Sequence, residues 1–190
     1  MSKHIKILIA VGANQPHRES APIDTLRKAL RLLETDGIRI ESVARWRKSP
    51  AYPAGAGPDF VNGAVSVDTR RAPEDLLARL HEIERKLGRV RRDRWAARTC
   101  DLDLIAYGER VLPDAATAAE LIALGPAAGA AEAPDRLILP HPRLAERAFV
   151  LAPLSDIAPD WRHPLSGASV AEMLAALPAD ERDQIEVMDV

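Results

Sequence analysis

The chain has 190 residues and carries 26 Lys+Arg against 28 Asp+Glu, a formal net charge of −2, with 47% hydrophobic residues and a single cysteine. One domain with a sizeable core is the default at that length, and so much apolar residue with so little net charge excludes a disordered chain. No apolar run reaches the ~18–20 residues of a membrane span, the near-neutral charge argues against a general nucleic-acid coat, and one cysteine, Cys100, allows neither a disulfide framework nor a thiolate metal cluster, which fits a reducing cytoplasm.

In chain order, MSKHIKILIAVGAN has a basic start and a short apolar run. The run lacks a convincing cleavage site and reads as a buried strand, not a signal peptide: Ile5, Ile7, Ile9 and Val11 alternate with Lys6, Leu8 and Ala10. Ile23, Leu26, Leu30 and Leu33 repeat at helical spacing and stop at Asp36-Gly37. Residues 38–47 read as a second strand, and 49–58 (SPAYPAGAGP) as a loop. Residues 60–69 form the clearest strand, with Val61, Gly63, Val65 and Val67 on one face and Phe60, Asn62, Ala64 and Ser66 on the other. Pro73 opens a second helix whose apolar positions are Leu76, Leu77, Leu80, Ile83 and Leu87, and Gly88 suits its C-cap.

An arginine-rich loop follows, then a strand over 101–107. Residues 109–135 are Ala-, Gly- and Pro-rich, with a short helix in AATAAELIAL and a flexible loop in GPAAGAAEAP. A short strand is expected over 136–139, a capping box at Ser169 and Glu172 before a short helix, and an edge strand over 185–190. The order strand, helix, strand, strand, helix, strand points to an α+β sandwich of ferredoxin-like type with an antiparallel sheet and additional C-terminal helices. The first two helices cover one sheet face, and the other is left for a ligand or the later helices.

Positive charge is concentrated. Residues 88–100 hold Arg89, Arg91, Arg92, Arg94 and Arg98 against Asp93, a local charge of +4 that leaves −6 for the rest. Such an island in an acidic protein points to one anion site. Directly after it, Asp101 and Asp103 share one strand face, while Leu102 and Leu104 turn to the core. Adjacent carboxylates repel unless a cation lies between them, and Mg²⁺ takes carboxylate oxygens with phosphates and waters. Mg²⁺ and arginines together suit polyphosphate transfer. GxxxxGK(S/T), GxGxxG and HExxH are all absent. His81 and Glu84 lie three apart on one helix, and His141 sits stiffly between two prolines. With Ala, Leu, Ile and Val enough for a core, the seven aromatics (three Trp, two Tyr, two Phe) are expected to have specific tasks.

VGAN, SPAYPAGAGPDFVNGAV, IERKLGRVRRDRWAARTCDLDLIAYG and LPHPRLAERAFVLAPLSDIAP resemble, in order, the 6-hydroxymethyl-7,8-dihydropterin pyrophosphokinases of folate biosynthesis, over roughly residues 5–167. The resemblance implies transfer of the β,γ-pyrophosphate of ATP to the pterin hydroxymethyl group with release of AMP. It implies that Asp101 and Asp103 hold two Mg²⁺ ions, with Arg89 and Arg98 beside them in catalysis. Phe60 and Phe149 would sandwich the pterin, and Asn62 with Ser49, Pro50 and Tyr52 would bind its polar edge. His81, Glu84, Arg91, Arg94, Trp95, Arg136, His141 and Arg147 would serve the nucleotide or the loops closing over it. The chain departs from the family's usual Gly-Ser-Asn at Gly12-Ala13-Asn14, from Trp-Gly-Pro-Arg at Trp95-Ala96-Ala97-Arg98, and from the frequent aromatic after His141, where Pro142 stands. Residues 113–134 exceed the usual connection and read as a surface insertion in one domain over 1–190.

Small-molecule partners, no nucleic acid, no membrane and a monomer are the accompanying expectations. A competing reading is a non-catalytic RNA-binding ferredoxin-like module that grips phosphates with the arginines and stacks bases on aromatics. A third is another two-metal nucleotidyl-transfer enzyme on the same type of sheet.

Overall fold

The computed structural model describes residues 5–35, 37–51, 57–89, 98–128 and 136–190. Its centre is an antiparallel sheet of β1 (Ile7–Ala13), β2 (Ile38–Val43), β3 (Arg47–Ser49), β4 (Phe60–Thr69), β5 (Asp101–Tyr107) and β6 (Glu186–Val187). The order is β5-β1-β4-β3-β6, with β2 also on β4. Helix α1 (Pro22–Leu33) connects β1 to β2, and α2 (Pro73–Lys86) connects β4 to β5. Each crossover steps over one antiparallel neighbour, which is the ferredoxin-like pattern expected from the element order.

Binary patterning explains the layers. Ile7, Ile9, Val11, Val61, Val65, Val67, Leu102 and Leu104 face α1 and α2 and pack with Leu26, Leu33, Leu76, Leu80 and Ile83. On the opposite face, Leu8, Ala10, Ala64, Ile105 and Ala106 meet α4 (Ala148–Ile157) and α5 (Val170–Ala176) through Val150, Leu151, Leu154, Val170 and Met173. The second face is therefore partly covered by the later helices. Arg147 is the N-cap of α4, and α5 starts with the expected capping box at Ser169 and Glu172.

Several local expectations change. The single strand over 38–47 is broken: β2 pairs with 65–69 of β4 and β3 with 60–62, with one extra residue between the two registers. That bulge turns Trp46 into the first core, where its ring fills the space beside Gly63; a Cβ there would lie 2.7 Å from the ring. Ser49 ends a strand and does not open a loop. Residues 136–139 contribute only an isolated bridge, Leu139 with Leu112. In the Ala-rich region α3 (Ala115–Ala128) runs beyond the expected short helix. A further short helix, α6 (Ala179–Asp183), precedes β6, and the C-terminal edge strand is confined to Glu186–Val187.

The aromatics divide differently from the expectation too. Trp46, Tyr107 and Trp161 are buried in the two cores. Tyr107 donates its hydroxyl to the Arg71 carbonyl at 2.7 Å, and the Trp161 indole donates to the Gly108 carbonyl at 3.1 Å. Their apolar bodies fill volume while the polar tips remain bonded. Among the described residues no helix is long and apolar enough to cross a membrane.

Candidate active site

Strand register assembles the site. Asp101 pairs with Gly12, Gly12 with Asn62, and Asn62 with Arg47, so one row crosses β5, β1, β4 and β3. The next row holds Asp103, Ala10 and Ala64. Small residues occupy the middle strand, so a carboxylate pair and an amide flank a low floor. A Cβ on Gly12 would stand 3.4 Å from the Asn62 side-chain oxygen.

At the amide end, buried Asn62 donates from Nδ2 to Ser49 Oγ at 2.9 Å. This fixes the amide and leaves its carbonyl oxygen for another donor. Phe60, two residues away on the same strand face, is half-buried and pairs with Ser49. Pro50 is exposed immediately beyond β3. Phe149 lies at the start of α4 and is 37% exposed, with the Arg147 guanidinium 5.6 Å from its ring centroid. Such placement gives a modest cation–π attraction.

At the carboxylate end, α2 closes on Gly88, whose φ of +82° favours glycine. A Cβ there would also collide with His17, 2.5 Å from Nδ1. The turn returns the Arg89 N–H to the Glu84 carbonyl at 3.0 Å. The Arg89 side chain lies between the Glu84 carboxylate and Asp101, whose Oδ1 is 2.5 Å away. Arg98 donates to the other Asp101 oxygen. Burial and the neighbouring Asp103 push the Asp101 carboxyl upward, and Arg98 and Arg89 oppose them.

Glu84 is buried and accepts the Leu102 N–H at 2.8 Å. Burial pushes its carboxyl up to about 7 against the pull of Arg89 and that hydrogen bond. It ties α2 to β5 and reaches the centre through Arg89. His81 stands half-buried one turn earlier. Cys100, beside Asp101, is a buried thiol pushed up to about 12, which leaves it without thiolate character at neutral pH.

His141 donates its N–H to the Ile105 carbonyl at 2.9 Å, and its Nδ1 accepts the Arg143 N–H at 3.1 Å. Burial, Arg147 and Arg143 push the imidazole down to about 4. It is neutral at pH 7, and with Nδ1 accepting, Nε2 carries the hydrogen. Burial likewise lowers Arg147, while Asp103 and Asp101 pull it back up. Arg136 is exposed, and its charge is felt at Asp114. Tyr52, Arg91, Arg94 and Trp95 lie outside the described residues.

One residue of the site was legible in sequence only as part of a turn. Asn14 is buried, and its Oδ1 accepts the Arg98 N–H at 2.8 Å, while Nδ2 donates to the Pro58 carbonyl at 3.1 Å. Its own N–H donates to the Arg98 carbonyl at 3.0 Å. A single amide thus ties the chain before Phe60 to the chain before Asp101.

Among the described residues no group of three or more His, Cys, Asp and Glu forms. The Asp101 and Asp103 pair nevertheless fits Mg²⁺. Asp101 Oδ1 is buried and accepts no well-aligned hydrogen bond; its one close neighbour is the Arg89 guanidinium, ion-paired at 2.5 Å, whose place a cation would share. One or two carboxylates completed by substrate phosphates is a common Mg²⁺ donor set.

An antiparallel ferredoxin-like sheet with paired carboxylates and arginines at one end of a row, and an amide beside an aromatic ring at the other, defines a class: a transferase for phosphorylated groups. The comparisons narrow it. The family described as 7,8-dihydro-6-hydroxymethylpterin-pyrophosphokinase matches residues 8–159. A 2-amino-4-hydroxy-6-hydroxymethyldihydropteridine pyrophosphokinase of Pseudomonas aeruginosa is 38% identical over 91% of this chain and 92% of its own length. Its namesake from a Synechocystis species is 37% identical over 80% of this chain and 68% of its own. The solved wild-type HPPK-DHPS of Plasmodium falciparum shares the fold at a TM-score of 0.63 and 12% identity, covering 91% of this chain. This chain spans 44% of that longer one. The chain belongs to the 7,8-dihydro-6-hydroxymethylpterin pyrophosphokinase family, enzymes that transfer pyrophosphate from ATP to hydroxymethyldihydropterin in folate biosynthesis.

Proposed function

We propose that this chain carries out ATP-dependent pyrophosphoryl transfer to 6-hydroxymethyl-7,8-dihydropterin with the two ends of the Asp101–Gly12–Asn62 row dividing the work. The observation that supports this reading best is the row itself, in which the Asn62 amide and the Asp101 carboxylate stand on either side of Gly12. Phe60 and Phe149 hold the two faces of the flat pterin, each stacked face contributing ~1–3 kcal/mol by analogy with base stacking. The Asn62 carbonyl oxygen, oriented by the bond to Ser49, takes a donor of the pterin edge. Main-chain groups near Ser49 and Pro50, with Tyr52, complete that edge.

In the reaction the hydroxymethyl oxygen bonds to the β-phosphorus of ATP, the bond from that phosphorus to the bridging α,β-oxygen breaks, AMP departs with that oxygen, and the hydroxyl proton is released to solvent. Asp101 and Asp103 would hold two Mg²⁺ ions, which would supply neutralisation of phosphate charge and alignment of the phosphates. Arg89 and Arg98, now paired with Asp101, turn their hydrogen-bond donors to the phosphate oxygens as the nucleotide arrives. His141 offers its Nε2 hydrogen to the nucleotide, and Arg147 adds charge beside Phe149. His81, Arg91, Arg94, Trp95 and Arg136 serve nucleotide binding and closure of the loops, which excludes competing water.

Among the described residues, Phe60, Asn62, Asp101 and Asp103 come from one sheet and Phe149 from a helix on it, so a single domain acting as a monomer suffices for both substrates. A buried free thiol suits the cytoplasm. RNA binding is disfavoured because Asp101 and Asp103 occupy the same face as the phosphate-binding arginines and repel phosphate without a metal. Incubation with ATP, Mg²⁺ and the dihydropterin should release one AMP per pterin consumed, and none after chelation; ADP as the nucleotide product would exclude the assignment. Calorimetric titration of the pterin, with and without a non-hydrolysable ATP analogue and Mg²⁺, tests acceptor identity and its dependence on nucleotide.

A further inference from the structure

The two walls assigned to the pterin come from different layers. Phe60 stands on β4 in the sheet, and Phe149 on α4, which lies across that sheet. Apolar packing under α4 runs through Val150, Leu151 and Leu154. Such contacts are non-directional and by themselves tolerate small slides of a helix over a sheet. Polar contacts are directional: Lys6 Nζ donates to the Ile157 carbonyl at the end of α4 at 3.2 Å, and a stronger, buried pair lies beside it. The Arg47 guanidinium on β3 grips Asp156 on α4 with two parallel bonds, Nη1 to Oδ2 at 2.6 Å and Nη2 to Oδ1 at 3.0 Å. Arg47 is 7% exposed and Asp156 15%. Arg45 encloses the same carboxylate from outside, through its N–H at 3.2 Å and Nη2 at 2.8 Å.

The positions of the two partners give this clamp a function. Arg47 is the register partner of Asn62, and Ser49, two residues on, is the partner of Phe60. Asp156 lies seven residues after Phe149, two helical turns along the same side of α4. A fork that joins Arg47 to Asp156 thus ties the strand pair bearing Asn62 and Phe60 to the helix bearing Phe149. A planar, bidentate contact constrains both distance and rotation, which a lysine point charge does not.

We propose that the Arg47–Asp156 fork is a positioning device for the acceptor pocket: it sets where α4 presents Phe149 opposite Phe60, and so governs pterin affinity while leaving phosphate chemistry unchanged. The proposal rests on the assignment of Phe60 and Phe149 as the two pterin walls. Neither Arg47 nor Asp156 touches a substrate in it.

The test is a double-mutant cycle between Arg47→Met and Phe149→Ala, with Arg47→Lys alongside, read as KM for each substrate and kcat. Arg47→Met should raise the pterin KM by up to ~10-fold, no more than loss of the ring itself, with kcat and the KM for ATP within ~3-fold of wild type, since misplacing one wall weakens pterin binding equally in the ground and transition states. Arg47→Lys should give ~5-fold, because the charge beside Asp156 stays and the fork is lost. Phe149→Ala should raise the pterin KM ~10-fold, and adding Arg47→Met to it should cost less than ~3-fold more, since there is no longer a ring to place. A normal pterin KM in Arg47→Met, equal rises for both substrates, or fully multiplicative effects in the double variant would overturn the proposal alone. A normal pterin KM in Phe149→Ala would instead overturn the assignment of the walls, and the proposal with it. Should Arg47→Met not fold, Arg47→Lys carries the same comparison.

Discussion

Asp101 on β5 and Asn62 on β4 stand in one row of the sheet with only Gly12 of β1 between them. Neighbouring strands lie about 5 Å apart, so the two functional ends are separated by about 10 Å of backbone. Under the proposed assignment, a hydroxymethyl group on a ring anchored at Asn62 would have the carboxylates within reach along the row. The absence of a side chain at Gly12 keeps that line low.

The carboxylate end should respond to loss of either aspartate. Asp101→Ala and Asp103→Ala should each lower kcat at least ~100-fold, because in the proposed reaction metal and arginine charge would supply most of the transition-state stabilisation. AMP release at saturating substrates is the measurement. Near-normal turnover in both variants would remove the metal assignment.

The amide end should respond in KM. Asn62→Ala deletes the group held by Ser49 and leaves a buried pterin donor unpaired, a loss of ~1–3 kcal/mol, or about 5–150-fold in affinity. It should exceed the loss from Phe149→Ala, where one of two stacked faces remains. Pterin titration of both variants orders the two effects; a weaker effect at Asn62 would contradict edge recognition by this residue.

Asn14 predicts coupling between stability and rate. Asn14→Ala removes two side-chain hydrogen bonds, 2.8 Å to the Arg98 N–H and 3.1 Å to the Pro58 carbonyl, and leaves those backbone groups without this amide. Stability should fall by ~2 kcal/mol, and kcat by ~10-fold as Arg98 loses its fixed origin. Thermal unfolding and turnover of the same preparation check both. An unchanged kcat would make Asn14 a purely structural tie.

His141 makes a prediction about pH. Its folded-state value, about 4, lies below the unfolded value of about 6.5. The unfolded chain therefore binds more protons between these values, so stability from this group is present above pH ~6.5 and is lost as pH falls toward ~4. Imidazole NMR should show a neutral ring with hydrogen on Nε2 throughout pH 5.5–8, titrating near 4. A midpoint near 6.5 would refute the buried neutral state.

Much of this was legible along the chain. Alternation in 60–69 separated Val61, Val65 and Val67 from Phe60 and Asn62, and the spacing of Asp101 and Asp103 placed both carboxylates on one face. Capping residues marked α2 and α5. The aromatics were misjudged because composition reports scarcity and carries no volume: Trp46 answers a gap above Gly63 that exists only when β3 and β4 pair.

Local periodicity by itself determined which residues could share a strand or helix face, because side-chain direction repeats every two residues in a strand and every 3.6 in a helix. It also determined the chemistry available, since carboxylates, arginines, an amide and two phenylalanines are chemical facts of the chain. Tertiary structure alone decided their combination. Strand register put Asp101, Gly12, Asn62 and Arg47 in one row. Packing of α4 on the sheet brought Asp156 to Arg47 across 109 positions of sequence, and Asn14 met Arg98 across 84. Such contacts are set by the global fit of layers and by the need to pair buried polar groups, and no local pattern encodes them.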